Sequence, residues 1–472
     1  MEPAKERAKQ LVDMLRVNDR TGVVAFDNTV TVINGVVPIT GAATQNGIKT
    51  NISTIMPAGS TSIGGGLTAG QAGLAGGGDP AHPHAIILLS DGHENTPPWV
   101  GGGIANSPPA WYGGPDFTQA LPGIPASTKI YTVSLGVQSD LPLLQAIAAA
   151  RGGTFHAVNS PADIGSLHEI YVHLQALAGG EEVIGAGSDV VGVMIGQDVP
   201  ISVTSTALAY DLRSLAASTA AAEADLAAPV SAVKIHRVPV DETVSSVAMM
   251  VSWHDPADPV TLTLTSPSGR VIAAGTSTVI NGTGSSYQFF RIESPEVGEW
   301  QLRVEPSKKN RATAAYTWGV YGTTPVGLRV VLPKRILGAK SIQTMITLRA
   351  PVRAIGSSQF TGVGTAPKTD IKLLLEKHAG QLKDIKLSFD PDKPAGDANL
   401  YRLVALDSKL VAAGKPSFFE TTEQKLKVSA TARPTARLDT SMPGTYKLRF
   451  QGEGKTRKGN RFQRQSLNSL TV

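Results

Sequence analysis

No cysteine occurs among the 472 residues, and that absence removes disulfide staples and thiol nucleophiles together. Staples matter most to small secreted domains, whereas a chain this long has room for larger hydrophobic cores. Charge is sparse too, at 17% of residues against 41% hydrophobic, which excludes the disordered class. No apolar run reaches the roughly 18 residues of a membrane-spanning helix. The amino terminus, Met1-Glu2-Pro3-Ala4-Lys5, opens into a charged amphipathic stretch instead of a signal peptide, so no export route is expected from it. A Gly-x-Ser-x-Gly elbow and a strict internal repeat are also missing.

Present instead are 49 glycines and 31 prolines, the composition of a folded, turn-rich chain, and a soft prior of about 150 residues per domain suggests about three. The net charge of +5 conceals an asymmetry: residues 326–472 hold 26 Lys and Arg against 11 Asp and Glu, or +15, leaving −10 for the first 325. A basic unit of this kind can meet nucleic acid, anionic glycans or a phospholipid surface. Its cations alternate with apolar residues, as at Lys425 and Lys427 or Lys447 and Arg449, so solvated outer faces of a sandwich are the favoured reading. An anionic polymer stays open as a partner, and nucleic acid is not expected.

Three units follow from the patterning, 1–180, 181–325 and 326–472. In the first, Ala4, Ala8, Leu11, Val12 and Leu15 share one helical face. Residues 19–26 form a turn and a nearly continuous apolar strand, a second strand spans about 30–37, and both read as buried parallel strands. Short apolar strands at 85–89 and 130–135, with helical stretches at 141–150 and 164–178, predict a mainly parallel, doubly wound α/β sheet of Rossmann-like type. Beyond residue 180 period-2 alternation dominates, apart from an Ala-rich helix or stalk at 207–228, and predicts two all-β sandwiches of Ig-like or jelly-roll-like type.

The chemistry concentrates in Gly59-Ser60-Thr61-Ser62-Ile63-Gly64-Gly65-Gly66 and in Ile86-Ile87-Leu88-Leu89-Ser90-Asp91-Gly92. Ligands of open α/β sheets bind beyond the carboxyl ends of the strands, where a loop threonine and a strand-end aspartate can converge on a hard cation. On these residues, and on Asp-Arg-x-Gly-Val-Val-x-Phe at 19–26, the first 180 residues resemble the von Willebrand factor A family. The resemblance implies a metal-ion-dependent adhesion site with Thr61 and Asp91 as ligands, Mg²⁺ or Ca²⁺ as the ion, and an acidic side chain of a protein partner completing its shell. The family's Asp-x-Ser-x-Ser loop, normally ahead of the first helix at the end of the central strand, has no counterpart, so three of five ligand side chains are missing. Without that strand the sheet either closes up by pairing its neighbours or leaves two open edges.

Residues 238–244, Val251-Ser252-Trp253, Ser266-Pro267-Ser268-Gly269 and Gly298-Glu299-Trp300 look like the β-region of calcium-activated chloride channel regulator proteins. That resemblance implies an extracellular or cell-surface setting; the family's amino-terminal zinc protease domain is missing here. Protease chemistry fails on spacing as well, since His168 and His173 stand five apart, about 140° around a helix, and are expected at the surface. His82 and His84 lie about 20 Å from His93 along the intervening strand, too far to share an ion. Gly452-Glu453-Gly454-Lys455-Thr456 has Arg449 where a phosphate loop requires glycine.

Ser60, Ser62, His93 and Glu94 flank the two motif residues, and the long loop 97–115 carries Trp99, Trp111 and Tyr112, aromatics of the kind that anchor interfaces. The expectation is a non-enzymatic adhesion or interaction protein, presenting these residues to a protein ligand, with the β-units as spacer or second contact. The alternative is a structural surface component whose basic third unit docks on an anionic polymer.

Overall fold

The computed structural model describes residues 2–56, 60–104, 107–109, 118–158, 164–191, 233–273, 280–284, 286–307, 314–333, 340–351, 353–387, 398–429 and 434–472. Trp111, Tyr112 and the Ala-rich stretch 207–228 lie outside them. The protein is a mixed α/β unit joined to β-rich units.

The first unit runs α1 (Glu2–Met14), β1 (Arg20–Phe26), β2 (Val30–Pro38), α2 (Ala42–Ser53), α3 (Ile63–Gly77), β3 (Ala85–Ser90), β4 (Lys129–Leu135), α4 (Leu141–Ala150), β5 (Phe155–Val158) and α5 (Ile164–Ala178). Strands β3, β4 and β5 pair in parallel, with Ala85 opposite Lys129 and Thr132 opposite Phe155. Alternation sends Ile130 into the cluster of Ile63, Leu67, Leu88, Leu144 and Ile147, and Tyr131 and Val133 into the cluster of Leu167, Ile170 and Leu174 on the other face. Helix α4 starts where the Asp140 carboxylate accepts a hydrogen bond from the Leu143 amide at 3.2 Å, satisfying one orphan donor of the first turn.

The expected single parallel sheet is not formed. β1 and β2 make an antiparallel hairpin, Phe26 opposite Val30, and no ladder joins β1 to β3, so the unit holds two separate sheets. Helix α3 spans both pieces, and its glycines allow the approach: a Cβ on Gly66 would lie 2.7 Å from the Phe26 ring, and one on Gly70 would lie 3.6 Å from Ile86.

The second unit pairs five antiparallel strands in the order 280–283, 287–293, 246–253, 314–323 and β6 (Glu182–Val191), facing four in the order 271–272, 260–265, 298–306 and 234–240. Val260, Leu262 and Leu264 are buried while the threonines between them are half-exposed, the alternation a sandwich requires. Trp253, Phe290, Trp300 and Tyr316 fill its centre.

The third unit has sheets of 327–331, 341–349 and 435–439, and of 421–426, 355–367, 445–456 and 461–471. It is not all-β: α6 (Ile371–Lys383) and α7 (Ala398–Ala412) interrupt it, with Leu374, Leu382 and Leu403 forming their own cluster. Nor are the β-units strung out as spacers. Strand 461–471 lies against both others: Gln465 Oε1 accepts from the Ala186 amide at 2.8 Å, Ser469 Oγ from the Ala157 amide at 3.2 Å, and the Thr471 amide donates to Gln145 Oε1 at 2.7 Å. Arg464 and Asp241 form an ion pair at 2.9 Å with both side chains fully buried.

Two surface expectations are corrected by this packing. His168 and His173 are each 2% exposed, because α5 is covered both by its own sheet and by strand 314–323 of the second unit. Arg449 is half-buried and pairs with Glu169 of α5, while Lys425 and Lys427 are exposed as expected.

Candidate functional site

Two loops meet at the carboxyl end of β3. The Thr61 amide donates to Asn95 Oδ1 at 2.6 Å and the Asn95 amide donates to the Thr61 carbonyl at 3.0 Å, stitching the start of α3 to the segment after the strand. Gly92 makes the approach possible, since a Cβ there would stand 2.6 Å from Thr61 Oγ1. The Thr61 hydroxyl therefore lies against the backbone next to Asp91, and the two motif residues share one rim. Asp91 is exposed and Thr61 half-buried.

The flanking residues divide. Ser60 is exposed, whereas Ser62 is buried, its hydroxyl donating to the Pro97 carbonyl at 3.1 Å and its amide to the Asp27 carbonyl at 2.8 Å. His93 reaches Asp140 at 3.4 Å between Nδ1 and Oδ2 and keeps part of its ring in water. Trp99 is fully buried, its backbone bonded to Thr118 and Ala120, so its ring belongs to the interior instead of the rim.

Glu94 faces inward and supports the loops from below. Its carboxylate accepts from the Gly64 amide at 3.1 Å, the Val100 amide at 2.8 Å and the Ser107 hydroxyl at 2.6 Å. Burial pushes its pKa up to about 7, against the downward pull of those three bonds and with a further push from Asp140. Sequence reasoning missed one neighbour: the Tyr401 phenol of α7 is raised by burial and then by the charge of Asp91, so the third unit reaches toward this rim.

No group of three or more His, Cys, Asp or Glu that could hold a metal exists among the described residues. Thr61 and Asp91 bring one hydroxyl and one carboxylate to the rim, two ligand side chains for an ion that takes six or more oxygens, in the case of Mg²⁺ several of them from water.

A family described as hemicentin galactose-binding domain-like matches residues 226–317. A UPF0353 protein of Mycolicibacterium gilvum is 30% identical over 201 residues, covering 39% of this chain and 56% of the relative. Its counterpart in Mycolicibacterium paratuberculosis is 33% identical over 206 residues with the same coverage, so the chain spans little more than half the length of these curated relatives. Among solved structures, a von Willebrand factor type A protein from Catenulispora acidiphila gives a TM-score of 0.32 at 13% identity, over 74% of this chain and 59% of that one. The pilus adhesin SpaC from Lactobacillus rhamnosus GG gives 0.30 at 8% identity, over 97% and 65%. No helix among the described residues is long and apolar enough to cross a membrane.

Proposed function

We propose that this chain is a binding protein rather than a catalyst, and that the rim carrying Asp91, Thr61, Ser60 and His93 is its surface for a protein ligand, in an extracellular or cell-surface setting. One observation carries the reading. Of the carboxylates at this rim, Glu94 and Asp140 are buried and hydrogen-bonded inward, while Asp91 stands exposed on loops held rigid from beneath. A pre-set charge on a fixed frame is what selective docking uses. No step is assigned to a divalent cation, because the residues present do not complete its shell.

A displayed random-peptide library selected on the wild-type protein and counter-selected on Asp91→Ala tests this. Clones retained by the first and released by the second, with an unchanged circular dichroism spectrum, support it. Retention by both variants for every clone removes the rim from the account. The second reading, docking of the third unit on an anionic polymer, is favoured by exposed Lys372, Lys377, Lys425 and Lys427. It predicts heparin binding that weakens steeply with salt and ignores Asp91→Ala.

A further inference from the structure

Helices α1 and α5 of the first unit lie on the outer face of the five-stranded sheet of the second. Met14, Val172 and Ala176 meet Ala248, Met250, Phe289 and Tyr321 there in one apolar cluster. The two ends of this junction carry charge in different ways. At the link to β6, Glu181 is buried and pairs with Arg16 and with Arg291, the latter at 2.8 Å, so acid meets base. At the other end the groups that gather are basic. The ring of His168 on α5 stands edge-on to that of His254, which follows strand 246–253, with centroids 4.6 Å apart. Arg7 of α1 is 2% exposed. It donates to Gln10 Oε1, Ser252 Oγ and Ser286 Oγ, none of them a carboxylate.

Both rings fit this place as neutral groups. His254 Nε2 meets the Thr317 hydroxyl at 3.2 Å, and His168 Nδ1 has no hydrogen-bond partner. A proton on either ring sets a second positive charge beside the buried Arg7 guanidinium. Burial and then Arg7 lower both rings, and His254 lowers His168 further, against one upward pull from the Ser252 backbone. His254 is brought down to about 4. Glu6 and Tyr171 act on Arg7, and Glu6 pairs with Lys9 at 2.7 Å. His173, on another face of α5, has Glu169 acting upward against Arg449 and stands apart from this cluster.

We propose that His168 and His254 form a proton-sensitive latch between the first and second units: taking up protons, they part α1 and α5 from the five-stranded sheet at the Arg7 end, while the Glu181 end and the core of each unit stay closed. Both rings bind protons more weakly in the closed junction than in the open one. The latch is therefore secure above their ordinary value of 6.5 and loosens as pH falls below it. For His254 alone, the drop from 6.5 to about 4 favours opening by about a hundredfold at pH 4.5. Opening uncovers the apolar faces of Val172, Met250 and Phe289. The latch is independent of whether the Asp91 rim binds a ligand.

Two adjacent methionines read it. Met250 faces the junction and Met249 the sandwich core, and both are fully buried. The test follows their oxidation by dilute hydrogen peroxide in the 472-residue protein, by mass spectrometry, from pH 7.5 to 4.5. The expected result is oxidation of Met250 at least about tenfold faster at pH 4.5 than at pH 7.5, with Met249 protected throughout, and no acid acceleration in His168→Gln/His254→Gln. Protection of Met250 at every pH overturns the proposal. So does Met249 reacting in step with Met250, which is unfolding of the second unit, and so does undiminished acid acceleration in the double variant. Where the double variant already exposes Met250 at pH 7.5, Arg7→Gln decides. Removing the charge that lowers both rings shifts the acid range to lower pH, and a range that stays in place overturns the latch.

Discussion

Replacing Glu94 by Gln keeps an oxygen for the Gly64 and Val100 amides and removes the only proton that titrates at that point. In the fold the Glu94 carboxyl is raised to about 7 from an ordinary value of 4.5, chiefly by burial. Between those two pH values the folded protein holds a proton that the unfolded chain has lost. Stability from this group is therefore complete below pH 4.5, falls as pH rises, and is gone above about 7, a change on the order of 3 kcal/mol. The buried histidines act in the opposite sense. His156 and His254 are lowered to about 3 and about 4 by burial, and they remove stability as pH falls. They are common to wild type and Glu94→Gln, so the difference between the two proteins isolates Glu94. Amide exchange at Gly64 and Val100, measured from pH 4.5 to 7.5 in both proteins, should show the wild type losing protection relative to the variant by about a hundredfold. A ratio that does not change with pH, or that moves the other way, would refute the placement of a protonated Glu94 beneath the rim.

Gly66→Ala puts a methyl group against the Phe26 ring and should cost about 1–3 kcal/mol, read as a lowered thermal midpoint. Arg464→Leu leaves Asp241 buried without its partner; a loss of about 3–5 kcal/mol is expected in denaturant titrations, largely recovered in Arg464→Leu/Asp241→Leu. Calorimetric titration of Mg²⁺ into the 472-residue protein should show no saturable site in the millimolar range, because one hydroxyl and one carboxylate replace too little of the ion's hydration shell. A stoichiometric site would require ligands beyond Thr61 and Asp91.

The rim was legible because its signals are local. The apolar run 85–89 ends in Ser90-Asp91-Gly92, and Thr61 stands in a glycine-rich loop just ahead of helix α3, so both fall at one sheet edge. What failed was in part local signal misread and in part burial set by neighbours distant in sequence. β1 and β2 read as parallel because their apolar runs are nearly continuous, yet only Asp27-Asn28-Thr29 separates them. A connection that short allows an antiparallel hairpin alone, and that was the missed clue. Helices α6 and α7 hid in a basic β-rich context, although Asp370 caps the first by accepting from the Lys372 amide at 2.8 Å, and Leu374 and Leu382 recur on one face. The burial of His168, His173 and Trp99 follows from what packs over them, and the inward turn of Glu94 from amides contributed by α3 and the following loop. None of these has a signature in the residues adjoining them.

The central claim is that the Asp91 and Thr61 rim binds protein. The most direct measurement is the dissociation constant of one library-selected ligand against wild type, Asp91→Ala, Thr61→Ala and Lys425→Glu/Lys427→Glu. At least a tenfold weakening, about 1.4 kcal/mol, is predicted for each of the two rim variants, with no change for the lysine pair. Equal affinity for wild type and both rim variants, or loss only with the lysine pair, would contradict it.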